Sequence, residues 1–354
     1  MKTAPDISGI RDADLLAELE KARGTITFGA MVSFLTTKQA ERDAQAKEAE
    51  RLAALSPVKR KRAVTRKAVD TGEIVTRDNL QHIHTILALC SLPHSKQPLE
   101  VREYERRQGK ASLVIEAGKL MTSTGQWELQ PLPWGSRARL LLLYLCSEAI
   151  RQKSPTIEVA ESLTAFIRDM GFEVTGGKNG SLNYFKQQLN ALAACRLRIG
   201  VWGARGASTV DTKPFSKIDV WMPENPDQQM LWSSKITFSR EFFDELSAHA
   251  MPINKHIIRA FAGSSHKIDI IYWLAWNLNR LDKPLTLSWE QTAEQFGGEE
   301  LELWRFRQRF KKDVQGILSV LPKAPLRLTD KGLTISPAAP EVLAIPQQRK
   351  TKKP

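Results

Sequence analysis

Residues 299–321 read EELELWRFRQRFKKDVQGILSVL, and residues 326–335 read LRLTDKGLTI. Leu303, Phe306, Phe310, Val314, Ile317 and Leu321 recur at helical spacing, which predicts a helix over Glu299–Leu321 with one buried stripe. Arg305, Arg309 and Lys312 fall together on another face, with Arg307 and Lys311 beside it. Downstream, Leu326–Leu328 and Leu333–Ile335 flank Asp330-Lys331-Gly332, a strong hairpin turn. Upstream, Ser288 suits an N-cap, and the helix it opens ends at Gly297-Gly298 after Phe296. A helical stretch, then a basic amphipathic helix, then a hairpin is the order of a winged helix-turn-helix, which lays one helix in the DNA major groove.

The same order occurs earlier in the chain. A Gly-rich turn, Gly176-Gly177-Lys178-Asn179-Gly180, leads to a helix over Ser181–Cys195 with Leu182, Phe185, Leu189 and Leu192 on one stripe. Asn183, Gln187 and Asn190 lie opposite. Arg196–Trp202 and Lys217–Met222 alternate like strands, joined by a loop carrying Arg205 and Lys213; that pair is the candidate wing. Before them, Glu161–Met170 reads as a helix closed by Gly171. Arg137–Gln152 is a longer helix whose Leu140–Leu143 run is too apolar for a surface, so it should be a buried spine. The second copy opens with a strand over Lys235–Phe238 and helices over Arg240–Leu246, Ile253–Phe261 and Lys267–Arg280. The two copies therefore run over Leu132–Met222 and Lys235–Ser336. The fold class expected is α+β, mostly helical, with tandem winged helix-turn-helix domains over 77–225 and 226–340.

Residues 1–76 differ in composition. Asp12–Lys21 reads as a short helix, and Thr37–Leu55 as a solvated helix of mixed charge, marginal alone and stopped by Pro57. Lys59-Arg60-Lys61-Arg62, with Arg66 and Lys67, then reads as a flexible DNA-binding arm or a solubilising linker. Asp78 should cap a helix carrying Leu80, Ile83, Ile86, Leu87 and Cys90, ended by Pro93. Ser112–Glu116 reads as a strand with Trp127–Gln130 as its partner. Past Pro337 the chain is Pro-rich and ends in Arg349-Lys350-Thr351-Lys352-Lys353, so 341–354 is expected to be a disordered basic tail.

The formal charge of +13 and pI near 9.7 favour a polyanionic partner. Cys90, Cys146 and Cys195 are widely spaced in apolar runs, which argues against disulfides and a thiolate zinc site and for buried packing. With neither a membrane-spanning run nor a signal-peptide pattern, the expected setting is reducing, soluble and cytoplasmic.

A recognition helix must anchor by its oily stripe and offer donors and acceptors outward. Asn and Gln pair with adenine, and Arg or Lys with guanine, each such pair being worth roughly 1–3 kcal/mol of discrimination. Like charges on one helix face repel and call for a counter-charge. The candidate duplex-DNA contacts in the first copy are Lys178, Asn179, Ser181, Asn183, Lys186, Gln187, Asn190, Arg205 and Lys213. Those in the second are Arg305, Arg307, Arg309, Lys312 and Lys331.

Leu132-Pro133-Trp134-Gly135-Ser136-Arg137-Ala138-Arg139, then Ser147-Glu148-Ala149 and Gly176-Gly177, resemble the plasmid-encoded RepA-type replication initiators. So do Leu231–Ile236, Glu241-Phe242-Phe243, Asp269–Leu274, Ser288-Trp289, Gln295-Phe296-Gly297, and Phe306 with Phe310. The resemblance covers most of residues 90 to 343 in order and leaves out the N-terminal arm. It implies a cytoplasmic initiator that binds repeated duplex sites at a plasmid origin and helps open adjacent AT-rich DNA. It further implies recruitment of the host initiator and replicative helicase, a possible homodimer, and copy control through dimers.

Three other readings compete. His82-Ile83-His84 matches the metal-binding pattern of rolling-circle nickases, but a helix over Asn79–Leu89 would turn the two histidines about 200° apart. Tyr104, the nearest candidate nucleophile, has no lysine four residues on. Gly171 to Gly176 has phosphate-loop spacing, but Lys178 comes one place late and no Ser or Thr follows it. The Trp-rich stretches, Trp304 included, could be a docking surface but sit mostly at core spacing. The expectation is a non-enzymatic DNA-binding protein needing no metal or nucleotide cofactor. A metal-dependent nickase, or a transcriptional repressor without a replication role, is the alternative.

Overall fold

The computed structural model describes residues 6–122, 124–158, 160–177, 180–204, 206–218, 235–278, 280–297 and 302–347. The fold is mixed α+β, rich in helix, with small antiparallel sheets. It divides into a unit over residues 1–63 and a larger one over 64–354.

In the smaller unit, α1 (Ala13–Lys21) and α2 (Phe28–Ala53) form a helical hairpin. Its core is Ile10, Leu15, Leu19, Val32 and Leu35. Arg42 clamps the start of α1 by donating to Asp12 at 2.7 Å and Asp14 at 2.7 and 2.8 Å. Those bonds hold the Asp14 carboxyl down to about 2. The expected solvated helix thus begins earlier and has a partner. Pro57 starts α3 (Pro57–Asp70) instead of only ending α2, since proline suits the first helical position. The basic tract Lys59–Lys67 is therefore helical, and the flexible-arm reading of it is corrected.

The larger unit is built from a repeated order of elements. The first copy has β1 (Leu80–His84), α4 (Thr85–Leu89), an insertion, α5 (Gly135–Gln152), β6 (Thr156–Glu158), α6 (Ala160–Asp169) and α7 (Ser181–Ala194). It ends in the hairpin β7 (Arg196–Gly203) and β8 (Gly206–Thr212). The insertion holds β2 (Glu103–Gln108), β3 (Ala111–Glu116), β4 (Lys119–Met121) and β5 (Trp127–Leu129). A bridge of β9 (Phe215–Ile218), β10 (Lys235–Phe238) and α8 (Arg240–His249) follows. The second copy has β11 (Ala250–Asn254), α9 (Lys255–Ala260), α10 (Ser265–Leu278), β12 (Leu285–Ser288), α11 (Trp289–Phe296) and α12 (Leu303–Leu318). It closes with the hairpin β13 (Leu326–Thr329) and β14 (Gly332–Ile335).

The copies are joined where each begins. β1 pairs antiparallel with β11, with Leu80 opposite Asn254 and His84 opposite Ala250. The last residue of each strand caps the helix that follows: His84 Nδ1 accepts from the Ile86 N–H at 3.1 Å, and Asn254 Oδ1 from the His256 N–H at 2.9 Å. The two apolar spines, α5 and α10, pack on each other, and one continuous core runs through both copies. Leu140–Leu143 are all buried, as their hydropathy predicts. Arg139 on α5 donates to both oxygens of Asp269 on α10, at 2.6 and 2.8 Å. Its remaining donors reach Leu92 O at 2.6 Å, Gly135 O at 2.8 Å and Pro93 O at 3.2 Å. A buried ion pair tolerates desolvation only when its hydrogen bonds are satisfied in this way.

Several expectations are overturned. His82 and His84 lie on a strand, because pairing with β11 outcompetes the weak helical pattern across Asn79–Leu89. β3 pairs with β2 and β7 rather than with 127–130, giving the sheet order β2-β3-β7-β8. Trp127–Leu129 instead closes a local hairpin with Lys119–Met121. The hairpin partner of β7 is β8, whereas Lys217 sits on β9. β10 lies between β6 and β9, so it joins the first copy's sheet rather than opening the second. Residues 250–254 form a strand and only Lys255–Ala260 the helix. The chain after Pro337 is packed as far as Ile345, with Leu343, Ala344 and Ile345 buried and Ala344 O bonded to Asn254 Nδ2 at 2.9 Å. The boundary expected between 225 and 226 lies outside the described residues, as does the basic end after residue 347.

Candidate nucleic-acid interface

α12 forms where the sequence predicts a basic helix, four residues shorter at its start and three at its end. Phe306, Phe310, Val314 and Ile317 are buried, and the rings of Phe306 and Phe310 stack at 5.3 Å. Arg305, Gln308, Lys311 and Lys312 are exposed. The cationic face is partly neutralised from within. Arg307 lies 3.7 Å from Glu290 and over the Trp289 ring, and Arg309 lies 3.7 Å from Asp313 and over Phe306. Asp313 also accepts from Lys267. Among the described residues, no ion pair involves Arg305, Lys311 or Lys312. The Arg305 guanidinium instead stacks 5.2 Å from the Trp304 ring centre.

Beside α12, the three-stranded sheet β12-β14-β13 exposes Lys331 at its hairpin turn. Trp289 Nε1 donates to Asp330 O at 2.9 Å and ties that turn to α11. Ser288 and Gln291 close a capping box at the start of α11, confirming the expected N-cap. Gly332 has φ +146°, and a Cβ there would stand 2.0 Å from Leu287 O, so the turn requires glycine.

α7 is less open. Leu182, Phe185, Leu189 and Leu192 are buried as predicted, but Asn183, Lys186, Gln187 and Asn190 are only half-exposed. β4 packs against the helix, and Gly118, just before β4, approaches Ala194 O so closely that a Cβ would stand 2.1 Å from it. Burial lowers the Lys186 ammonium pKa. Asn190 Oδ1 is buried without a hydrogen-bond partner among the described residues. Ser181 is engaged internally: its N–H donates to Thr175 Oγ1 at 3.0 Å and its hydroxyl to Glu173 O. Gln188, which the sequence reading passed over, is buried and accepts from the Trp134 N–H at 2.8 Å. Lys213 is exposed just after β8. Lys178, Asn179 and Arg205 lie outside the described residues.

Sequence reasoning gave no role to the side chains of Arg137 and Arg106. Arg137 stacks against Phe172, Tyr184 and Phe185 at 4.8–5.8 Å, under α7. Arg106 on β2 donates to Glu294 O and Gln295 O, both at 2.9 Å, at the end of α11, a second tie between the copies. The histidine pair has the strand geometry that a nickase would require, so the helical argument against it falls. His84 is committed elsewhere, however, as the cap of α4, and burial and His249 hold its pKa down to about 4. Among the described residues, no group of three or more His, Cys, Asp or Glu is placed to hold a metal ion. Cys90, Cys146 and Cys195 are buried, and burial pushes each thiol up to about 12. No described helix is long and apolar enough to cross a membrane.

The architecture is that of a mixed α+β protein carrying amphipathic surface helices beside small antiparallel sheets. Residues 132–291 match the family model described as "Plasmid encoded RepA protein", so the resemblance carried by Leu132–Arg139 and by the motifs as far as Ser288-Trp289 is borne out, while Gln295–Gly297, Phe306 and Phe310 lie beyond the match. The match runs from the turn before α5 into α11 and stops short of α12. Among solved structures, the chain is similar to one titled "Crystal structure of SeMet derivatives of domain2 and domain 3 of RctB". The TM-score is 0.44 at 8% identity, over 71% of this chain and 96% of that one. No curated protein matches the sequence significantly.

Proposed function

We propose that the protein initiates plasmid replication by binding repeated duplex sites at an origin through two winged-helix modules. In the second module α10, β12, α11, α12 and the hairpin β13–β14 follow the order of a winged helix, with α12 as the helix for the groove. In the first, α5, β6, α6, α7 and β7–β8 take the same order, although β6 pairs with β10 instead of with the hairpin. The observation that carries the reading is the exposed cationic face of α12, with Arg305 and Lys312 turned outward beside the exposed tip at Lys331. Arg307 and Arg309 are compensated by Glu290 and Asp313, and it is the exposed remainder, Arg305, Lys311 and Lys312, that suits the phosphate backbone. The plasmid RepA match over 132–291 supports a plasmid origin as the target of that binding. Opening of AT-rich DNA, recruitment of the host initiator and helicase, and dimer-based copy control follow from the family resemblance. The chain does no covalent chemistry on DNA in this reading.

Footprinting on a plasmid origin tests it, with and without magnesium. A protected array of direct repeats, independent of magnesium, is the expected result. A magnesium-dependent break in one strand would establish a nickase instead, and protection confined to a promoter a repressor.

A further inference from the structure

Residue type places Trp304 in the core, yet the structure leaves it 55% exposed in the first turn of α12. The one polar atom of its side chain is engaged, because Nε1–H donates to Glu302 Oε2 at 2.6 Å. The surface it offers outward is therefore apolar ring, backed on one face by the Arg305 guanidinium. Trp304, Arg305, Gln308, Arg309, Lys312 and Asp313 line a shallow depression of about 530 Å³. The Asp313 carboxylate is taken up by Lys267 and Arg309 and the Glu302 carboxylate accepts from the indole, so an oily edge beside the cations Arg305 and Lys312 and the Gln308 amide fits neither a purely acidic partner nor a purely apolar one. It fits the floor of a major groove, where phosphates flank base edges and thymine alone carries a methyl group.

We propose that Trp304 is a specificity-determining residue that covers the 5-methyl group of a thymine, while Arg305 and Lys312 hold neighbouring phosphates. The inference rests on the duplex-binding reading above. The N-terminal residues of a helix lying in the groove are those that reach base edges, and Trp304 is in the first turn. Phe306, Phe310, Val314 and Ile317 face the core, so Trp304 is the large apolar side chain that this helix turns outward.

Duplexes recovered from a random pool by the full-length wild-type chain supply the probe. Each thymine is replaced singly by deoxyuridine, which lacks the methyl, and affinities are measured for the wild type and for Trp304→Ala. At one position the wild type should weaken about four-fold, the value of one buried methyl, while Trp304→Ala responds not at all. Trp304→Phe should keep part of the response, which guards against a folding defect in the alanine variant. The salt dependence of Trp304→Ala should match the wild type, whereas Arg305→Ala should lose about one unit of slope. If the wild type binds duplex and both proteins respond alike at every thymine, the inference is wrong. A loss of affinity for single strands alone would also overturn it. If the wild type selects no duplex at all, the duplex-binding reading falls and takes this inference with it.

Discussion

Replacing Arg139 with Leu should cost about 5 kcal/mol of stability. The arithmetic starts from Asp269, fully buried, which loses its counter-charge; breaking a buried pair from one side costs roughly 3–5 kcal/mol. Leu92 O, Pro93 O and Gly135 O lose a charged donor as well, each a further fraction of a hydrogen bond. Burial already raises the Asp269 pKa against the pull of Arg139, and without the guanidinium it should rise further. A carboxyl whose folded pKa stands above its unfolded value binds protons more readily when folded. The deficit of Arg139→Leu should therefore shrink as pH falls from 7 toward 5. The double variant Arg139→Leu with Asp269→Leu removes both charges and should recover roughly 2–4 kcal/mol relative to the sum of the single variants. Urea unfolding followed by circular dichroism and tryptophan fluorescence gives the four free energies. Additivity within about 0.5 kcal/mol would refute the pair as the joint between α5 and α10.

Other outcomes follow from the same geometry. Arg305→Ala and Lys312→Ala should each weaken duplex binding at any sequence and lower the salt slope by about one, read by titration at several salt concentrations; an unchanged slope removes α12 from the backbone contacts. Stability should fall as pH drops from about 6.5 toward 4, because His84 is held to about 4 and His266 to about 3 by burial, while the unfolded chain takes up their protons. His84→Asn, which can cap without titrating, should flatten that fall by up to about 1.4 kcal/mol per pH unit in urea titrations, and an unaltered pH profile would contradict the buried neutral imidazole. Gly332→Ala should destabilise the second hairpin, since its Cβ would meet Leu287 O at 2.0 Å; a melting temperature equal to wild type would show that the turn can relax.

The parts legible in the sequence are those whose physics is local. The stripes of α7 and α12, the Ser288 cap and the Asp330–Gly332 turn each depend on neighbours a few residues away. Pairings between distant segments were not legible. Leu80, Ile83, Ile86, Leu87 and Cys90 mimic helical spacing, and the strand that claims residues 80–84 lies at 250–254. The contact between α7 and β4 has the same origin, because that strand comes from an insertion earlier in the chain. Trp304 is a different case. It falls out of phase with the stripe at Phe306, Phe310 and Val314, so the periodicity marks it as outward where residue type alone does not. The segments that carry the family resemblance include Arg139 and Asp269, so part of what is recognisable in this chain belongs to the scaffold and not to the surface that would meet DNA.

Because the copies share one core and are pinned through β1 and β11, neither can swivel independently. On the proposed function, the molecule is a fixed gauge for the spacing of its target. One extra base pair between half-sites turns the far groove by about 34°, a rotation that only the DNA could absorb, by twisting or bending.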